Sequence, residues 1–259
     1  MDLHLRGSVI LITGGTDGLG AALAERLVEE GARVAVCGRD PERLEAARAR
    51  LSDLSDEVLA VCADVTQPDQ LAGFVEAAAE RWQRIDGLVN NAGRSAAGPI
   101  DRLTDEALAA DLDLKLISAA RATRLVLPHL RAGGGGAIVN VLAVAAKAPG
   151  AGSMPSSVSR AAGMAMTKAL SKELGPEQIR VNAVLIGVVE SGQWVRRAAD
   201  SGRSLEQVYA DLVAAKDVPL GRVSRADEFA DLAAFLLSPR ASYLTGTAIN
   251  LDGGSSPAV

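Results

Sequence analysis

Apolar and polar residues along this chain follow two rhythms in turn. Short unbroken apolar runs are each followed by a longer stretch in which apolar residues recur every three or four positions. The runs predict strands at Ser8–Thr13, Arg33–Cys37, Val58–Cys62, Gly87–Asn90, Ala137–Leu142, Arg180–Leu185 and Ala248–Asn250. Helical periodicity falls between them, at Leu19–Glu30, Pro41–Leu51, Pro68–Trp82, Asp105–Leu130, Ser156–Leu174 and Asp227–Leu237. Strands without an alternating polar face are buried on both sides. Strand and helix in regular alternation, with short connections, require a parallel sheet covered by helices on both faces and joined by right-handed crossovers. The predicted fold is α/β, a single doubly wound Rossmann-type domain over residues 1–259. No linker, repeat or charge block divides it, and the glycine run Gly133–Gly136 reads as a loop between a helix and a strand. Residues 187–223 break the alternation with a polar segment holding Trp194 and Tyr209. They come after the carboxyl end of a strand, where ligands of open α/β sheets sit, so they are a candidate substrate lid. A plain surface excursion is the alternative.

The first strand-to-helix passage is the most informative stretch. Val9 to Ile12 is a buried-strand run, and Leu19, Leu23 and Leu27 lie four apart on the next helix. Between them stand Gly14, Gly18 and Gly20. A glycine turn between strand and helix brings backbone N–H groups and a helix N-terminus to one point, where unpaired donors and the macrodipole both favour a phosphate. A glycine trio alone is a weak signal; the strand before it and the helix after it supply the context.

Composition narrows the alternatives. The chain has 259 residues, 48% of them hydrophobic, and a formal charge of −5. No basic patch points to nucleic acid. The two histidines, His4 and His129, are isolated and no metal-ligand spacing occurs, so no metal site is expected. Cys37 and Cys62 each end a predicted strand and read as buried, reduced thiols of a cytoplasmic protein. The N-terminus MDLHLRG lacks the apolar core of a signal peptide, and no apolar run reaches membrane-spanning length.

Further motifs stand in a characteristic order: Thr13-Gly14-xxx-Gly18-x-Gly20, Asp64-Val65, Asn90-Asn91-Ala92-Gly93, then Leu244-Thr245-Gly246 and Asp252-Gly253-Gly254. With them the chain resembles the short-chain dehydrogenase/reductases over essentially its whole length. The resemblance implies a sheet of seven parallel strands, NAD(P) bound across the strand ends, and a homotetramer whose long helices, here Asp105–Leu130 and Ser156–Leu174, pack subunit against subunit. It places the coenzyme pyrophosphate on the loop of Gly14, Thr16, Asp17, Gly18 and Leu19, adenine against Asp64 and Val65, and the adenosine ribose along Asn91, Ala92 and Gly93. The family's Pro-Gly-x-x-x-Thr appears as Ile186-Gly187-Val188-Val189-Glu190-Ser191, which puts Val189 and Ser191 at the nicotinamide half. NAD-dependent members usually carry an acid at the position of Gly38. Here Arg39 comes next instead, and a guanidinium can pair with a 2′-phosphate and stack on adenine. Asp17 opposes a second phosphate by like charge. NADP is the expected coenzyme and NAD the alternative.

The catalytic pattern departs from the family. Aligned through Ile138-Val139-Asn140 and Thr167-Lys168-Ala169-Leu170, the serine position holds Ala143, the tyrosine position Ser156 and the lysine position Arg160. Counting back from Leu127-Pro128 places Lys115 where the family has asparagine. No Tyr-xxx-Lys exists anywhere: four residues after Tyr209 stands Val213, and four after Tyr243 stands Thr247. Ser156, Lys115 and Arg160 are the remaining candidates for catalysis. Arg160 can also hold ribose hydroxyls or an oxyanion, and does not release its proton near neutral pH. Lys115 interrupts an apolar helical stripe of Leu108, Leu112, Ala119, Ala122 and Val126. Buried near Arg160, its ammonium would be pushed toward a usable general acid; a snorkelling lysine is the alternative. Lys147 is a second candidate cation, with an ordinary loop lysine as its plainer reading. Two functions are consistent with this pattern: an atypical NAD(P)(H)-dependent oxidoreductase acting on a small-molecule substrate, an activated alkene or carbonyl, without the Tyr-xxx-Lys pair; or a non-catalytic dinucleotide-binding regulator or inactive subunit. Halohydrin dehalogenases, which resemble this family, also carry arginine at the lysine position but have lost the glycine phosphate loop that this chain keeps.

Overall fold

The apolar runs become strands within a residue or two of their expected limits. In the computed structural model, which describes residues 1–259, the strands are β1 (Val9–Thr13), β2 (Arg33–Gly38), β3 (Val58–Cys62), β4 (Gly87–Asn90), β5 (Gly136–Ala143), β6 (Ile179–Ile186) and β7 (Ala248–Leu251). They form one sheet in the order β3-β2-β1-β4-β5-β6-β7, every neighbouring pair parallel. The strand order reverses between β1 and β4, opening a crevice beyond their carboxyl ends. The helices are α1 (Gly18–Glu29), α2 (Pro41–Ser52), α3 (Pro68–Trp82), α4 (Asp105–Leu112), α5 (Ser118–Ala132), α6 (Ser156–Leu174), α7 (Gly192–Ser201), α8 (Leu205–Ala215) and α9 (Ala226–Leu237). None is long and apolar enough to cross a membrane.

Burial on both faces shows in β1 alone. Ile10 and Ile12 join a core with Leu23 and Leu27 of α1 and Phe229 of α9. Val9 and Leu11 join the opposite one, with Phe74 of α3 and Ala122, Val126 and Leu130 of α5. Each valine, leucine, isoleucine or phenylalanine among them, removed from water, contributes on the order of 1.5–3 kcal/mol.

Two expectations need correction. Cys37 is buried on β2, and burial pushes its thiol up to about 12, but Cys62 is exposed rather than buried. The long helix predicted over Asp105–Leu130 is not a regular α-helix throughout. A five-residue π-turn, Asp113–Ile117, joins α4 to α5, and the Ser118 N–H reaches back to the Asp113 carbonyl. The wide turn rotates the α4 face relative to the α5 face. Leu108 and Leu112 are therefore only half-buried, while Asp111 and Lys115 join Ala119, Ala122 and Val126 in the buried stripe.

Residues 187–223 carry α7 and α8. Arg196 of α7 lies 3.6 Å from Asp17 at the start of α1, which sets the segment over the open end of the crevice.

Candidate active site

The glycine loop is held by its neighbours. Gly14 has φ +68°, and a Cβ there would stand 2.9 Å from the Ala92 Cα. At Gly20 a Cβ would meet the Gly14 carbonyl at 2.3 Å, so α1 can start against the turn only because this residue has no side chain. Asn91 donates from Nδ2 to the carbonyls of Thr13 and Gly14, at 3.1 and 2.8 Å. Thr13 Oγ1 accepts from the Asn91 and Ala92 N–H groups, each at 3.1 Å. Asn91 thus braces the glycine loop, and its side-chain nitrogen is already committed to backbone. Asp17 caps α1, its Oδ1 accepting from the Gly18 N–H at 2.7 Å. Its other oxygen faces Arg196, which offsets the repulsion expected toward a phosphate.

At the β2 end, a Cβ on Gly38 would lie 2.6 Å from Thr16 Cγ2, so the acid usual in NAD enzymes has no room unless Thr16 moves. Arg39 is exposed, with its guanidinium 4.0 Å from Asp64. Burial works against the Asp64 charge, but hydrogen bonds from the Thr66 N–H and hydroxyl, with the nearby Arg39, hold its carboxyl below the usual range. Val65 is buried beside it.

At the far end of the crevice, Val189 is buried, its carbonyl taken by the Trp194 indole at 3.0 Å. Ser191 Oγ is buried and has no hydrogen-bond partner. A buried hydroxyl left unpaired is costly. It sits against Gly18 of the phosphate loop, where a polar group of a bound dinucleotide would satisfy it. The braced glycine loop, the side-chain-free position 38 and this orphaned hydroxyl all fit a nicotinamide dinucleotide.

Between these ends lies a buried polar cluster. The Lys115 side chain is only 1% exposed. Its Nζ donates to Asp111 Oδ1 at 2.5 Å and to Ser156 Oγ at 2.8 Å. The snorkelling alternative is excluded by this burial. Ser156, the first residue of α6, also accepts from the Ala96 N–H at 3.0 Å, and its own hydroxyl hydrogen has no acceptor in the protein. Ser159 donates to Asp111 Oδ2 at 2.6 Å. Arg160 Nη1 donates to the Val141 carbonyl at 2.6 Å, and its other terminal nitrogen lies 2.7 Å from where a Cβ of Gly93 would stand. Burial pushes the Arg160 guanidinium down to about 10, with Asp111 opposing, so it stays a cation at neutral pH. Burial likewise lowers the Lys115 ammonium; Asp111 opposes the change, while Arg160 and Arg94 add to it. Ala143 ends β5 and offers no polar side chain.

Lys147 is fixed elsewhere, donating to the Ala248 carbonyl at 2.8 Å and Asn250 Oδ1 at 2.9 Å, so it ties the β5 loop to β7. Tyr243 is fully exposed. Tyr209 lines a separate cavity of about 390 Å³ with Glu190 and Arg222, where burial and Glu190 raise its phenol. The sequence reading missed Asp111, Ser159 and Arg94. Only Asp111 left a trace there, four residues before Lys115 on the same helical stripe.

Comparison with known proteins places this arrangement. The family model described as enoyl-(acyl carrier protein) reductase matches residues 14–256. An uncharacterized oxidoreductase of Methylorubrum extorquens is 35% identical over 251 residues, 96% of this chain and 98% of that one. The chain belongs to the short-chain dehydrogenase/reductase family. Among solved structures, the NADPH-bound short-chain oxidoreductase of Pseudomonas aeruginosa PAO1 that contains an atypical catalytic center is 37% identical, with a TM-score of 0.92 over 97% of this chain and 98% of that one. L-sorbose reductase from Gluconobacter frateurii, complexed with NADPH and L-sorbose, is 31% identical with a TM-score of 0.95 over the full length of both chains.

Proposed function

We propose that this short-chain dehydrogenase/reductase is an NADPH-dependent reductase of an activated alkene or carbonyl, and that Ser156 backed by Lys115 replaces the family's tyrosine as proton donor. The observation that carries the reading is the 2.8 Å contact from a buried ammonium to the Ser156 hydroxyl, at the position the family gives to its phenol. The neighbours bound to NADPH and the family model's enoyl reductase description support the coenzyme and the substrate class.

Gly14, Thr16, Asp17, Gly18 and Leu19 would hold the pyrophosphate at the α1 N-terminus. Asp64 and Val65 would contact adenine, and the Asn91–Gly93 backbone would line the ribose. Arg39 would take the 2′-phosphate, and Val189 and Ser191 the nicotinamide end. When bound, NADPH supplies hydride. Ser156 alone is too weak an acid to protonate an alkoxide or enolate. Its oxygen accepts from two donors, so its remaining hydrogen is directed outward, and as it leaves Lys115 replaces it from Nζ. No free serine alkoxide then forms. Arg160, a permanent cation at neutral pH, stabilises negative charge developing on the substrate or fixes the ribose beside it. Ala143 and Ser156 are smaller than the family's serine and tyrosine and leave more space above the reacting ring.

Steady-state oxidation of NADPH against a panel of enoyl thioesters and ketones tests the proposal. Turnover with at least one member is expected. Tight NADPH binding without turnover on any of them would overturn it in favour of the non-catalytic dinucleotide-binding reading.

A further inference from the structure

The role proposed for Lys115 leaves Asp111 unexplained. It is a carboxylate with 3% side-chain exposure on the helix turn before the π-turn. Each of its oxygens has one partner: Oδ1 takes the Lys115 ammonium at 2.5 Å and Oδ2 takes the Ser159 hydroxyl at 2.6 Å. Ser159 stands on α6 one turn after Ser156, and Lys115 closes the circuit back to Ser156. Four side chains from two separate helical segments therefore form one connected set. Packing gives no reason for it, since exchanging a buried ion pair for apolar residues of similar size is often neutral or stabilising.

We propose that Asp111, anchored by Ser159, is the positioning residue that aims the Lys115 ammonium at Ser156. This rests on Lys115 being the proton source. Residues 111 and 115, four apart, lie on one helix face that is buried here, and the Asp111 bond removes the rotational freedom of a long lysine side chain. The anchor from Ser159 fixes the carboxylate in turn, so that α6 carries both the target of the proton and the brace behind its donor. Electrostatics act the same way. The charged groups around Nζ are Arg160 from α6, Arg94 from the exposed loop after β4, and Asp111 itself. Asp111 is the only anion among them. Removing its charge leaves three cations together, and the lysine would lose its proton at lower pH.

The test uses the NADPH-saturated protein labelled at the lysine ε-carbons. The chain has five lysines, so the titration of Lys115 can be followed by heteronuclear NMR independently of turnover. Asp111→Asn is expected to move the Lys115 midpoint down by about one pH unit or more, a tenfold change in protonation ratio. The alkaline limb of the kcat profile should move down with it on whichever panel substrate is turned over, with KM little changed. Ser159→Ala, which keeps the charge but frees the carboxylate, is expected to shift the midpoint in the same direction by less. A Lys115 titration in Asp111→Asn that superimposes on the parent overturns the proposal. Should that variant fail to fold, a Ser159→Ala protein with unchanged midpoint and kcat overturns it equally. A shifted midpoint in a protein that reduces no substrate would uphold the Asp111–Lys115 coupling and sink the reductase reading alone.

Discussion

A lysine with its side chain 1% exposed is an expensive residue to bury, and its surroundings show how the cost is met. One proton is held by Asp111 and another by Ser156, while burial first, then the field of Arg160 and Arg94, weakens its hold on the charge. Such a group can release a proton more readily than an exposed lysine and still be protonated below its midpoint. For Lys115→Met, which keeps the length without the charge, kcat is expected to fall by about 10²–10⁴. NADPH affinity, measured by fluorescence titration, should remain within a fewfold of the parent. With Lys115 as the proposed proton source the sign of the pH dependence is fixed: the reductive rate is expected to be lost as pH rises through a midpoint below the ordinary lysine value. At the other end of the crevice, Arg39 sits exposed beside Asp64 with no acid at position 38. A charge-assisted hydrogen bond to a 2′-phosphate contributes about 1.5–3 kcal/mol. Arg39→Ala should weaken NADPH binding by about 10–100-fold and leave NADH binding nearly unaltered, as read by parallel titrations.

Among the elements, the π-turn between α4 and α5 has the largest consequence, because it brings Asp111 and Lys115 into the core together. A regular helix over the same residues would favour the leucine stripe that the spacing of Leu108 and Leu112 suggests. The segment 187–223 is held at both ends. Arg196 reaches Asp17 on the phosphate loop, while Glu228 of α9 binds the Arg222 guanidinium at 2.6 and 2.8 Å, the Arg225 N–H at 2.8 Å and the Ser224 hydroxyl at 3.1 Å. These bonds, from Arg222 first, lower the Glu228 carboxyl to about 2. A depressed carboxyl gives stability that is present above its unfolded value near 4.5 and lost as pH falls toward 2. Thermal melts between about pH 2 and pH 6 should therefore show the parent losing stability on acidification more steeply than Glu228→Gln. At neutral pH the variant should be less stable, since glutamine can still reach back to the α9 N-cap but no longer pairs its charge with the Arg222 guanidinium.

For the whole molecule, the coenzyme and the assembly are the properties to measure. Anything that binds only the folded state raises stability by RT ln(1 + [L]/Kd), about 2.7 kcal/mol at a hundred times Kd. NADPH should raise the melting temperature by several degrees at a concentration where NADH raises it less. Four copies of the 26.6 kDa chain, read by light scattering on the eluting peak, would support the tetramer that the family resemblance implies, and a monomer would reject it.

The features legible in the chain and those that were not divide along the range of the forces involved. Strand runs, helical periods and the Gly14-Gly18-Gly20 turn are local patterns, and apart from the helix expected over Asp105–Leu130, which a π-turn divides, each becomes the element it predicts. The absence of a Tyr-xxx-Lys pair is likewise complete in the sequence, because it depends on spacing alone. Ser156, Arg160 and Lys115 could be named by position, but whether Lys115 points into water or protein depends on residues far from it in the chain. Asp111 shares a helix face with Lys115, but the π-turn sets how that face meets the core, Ser156 and Ser159 arrive from a helix some forty residues later, and Cys62 ends a strand whose outer end stays in solvent. Sequence determined which groups are available for chemistry, through short-range preference and composition. Tertiary structure alone decided which of them share one desolvated space, because burial and Coulomb fields add up over everything that packs nearby.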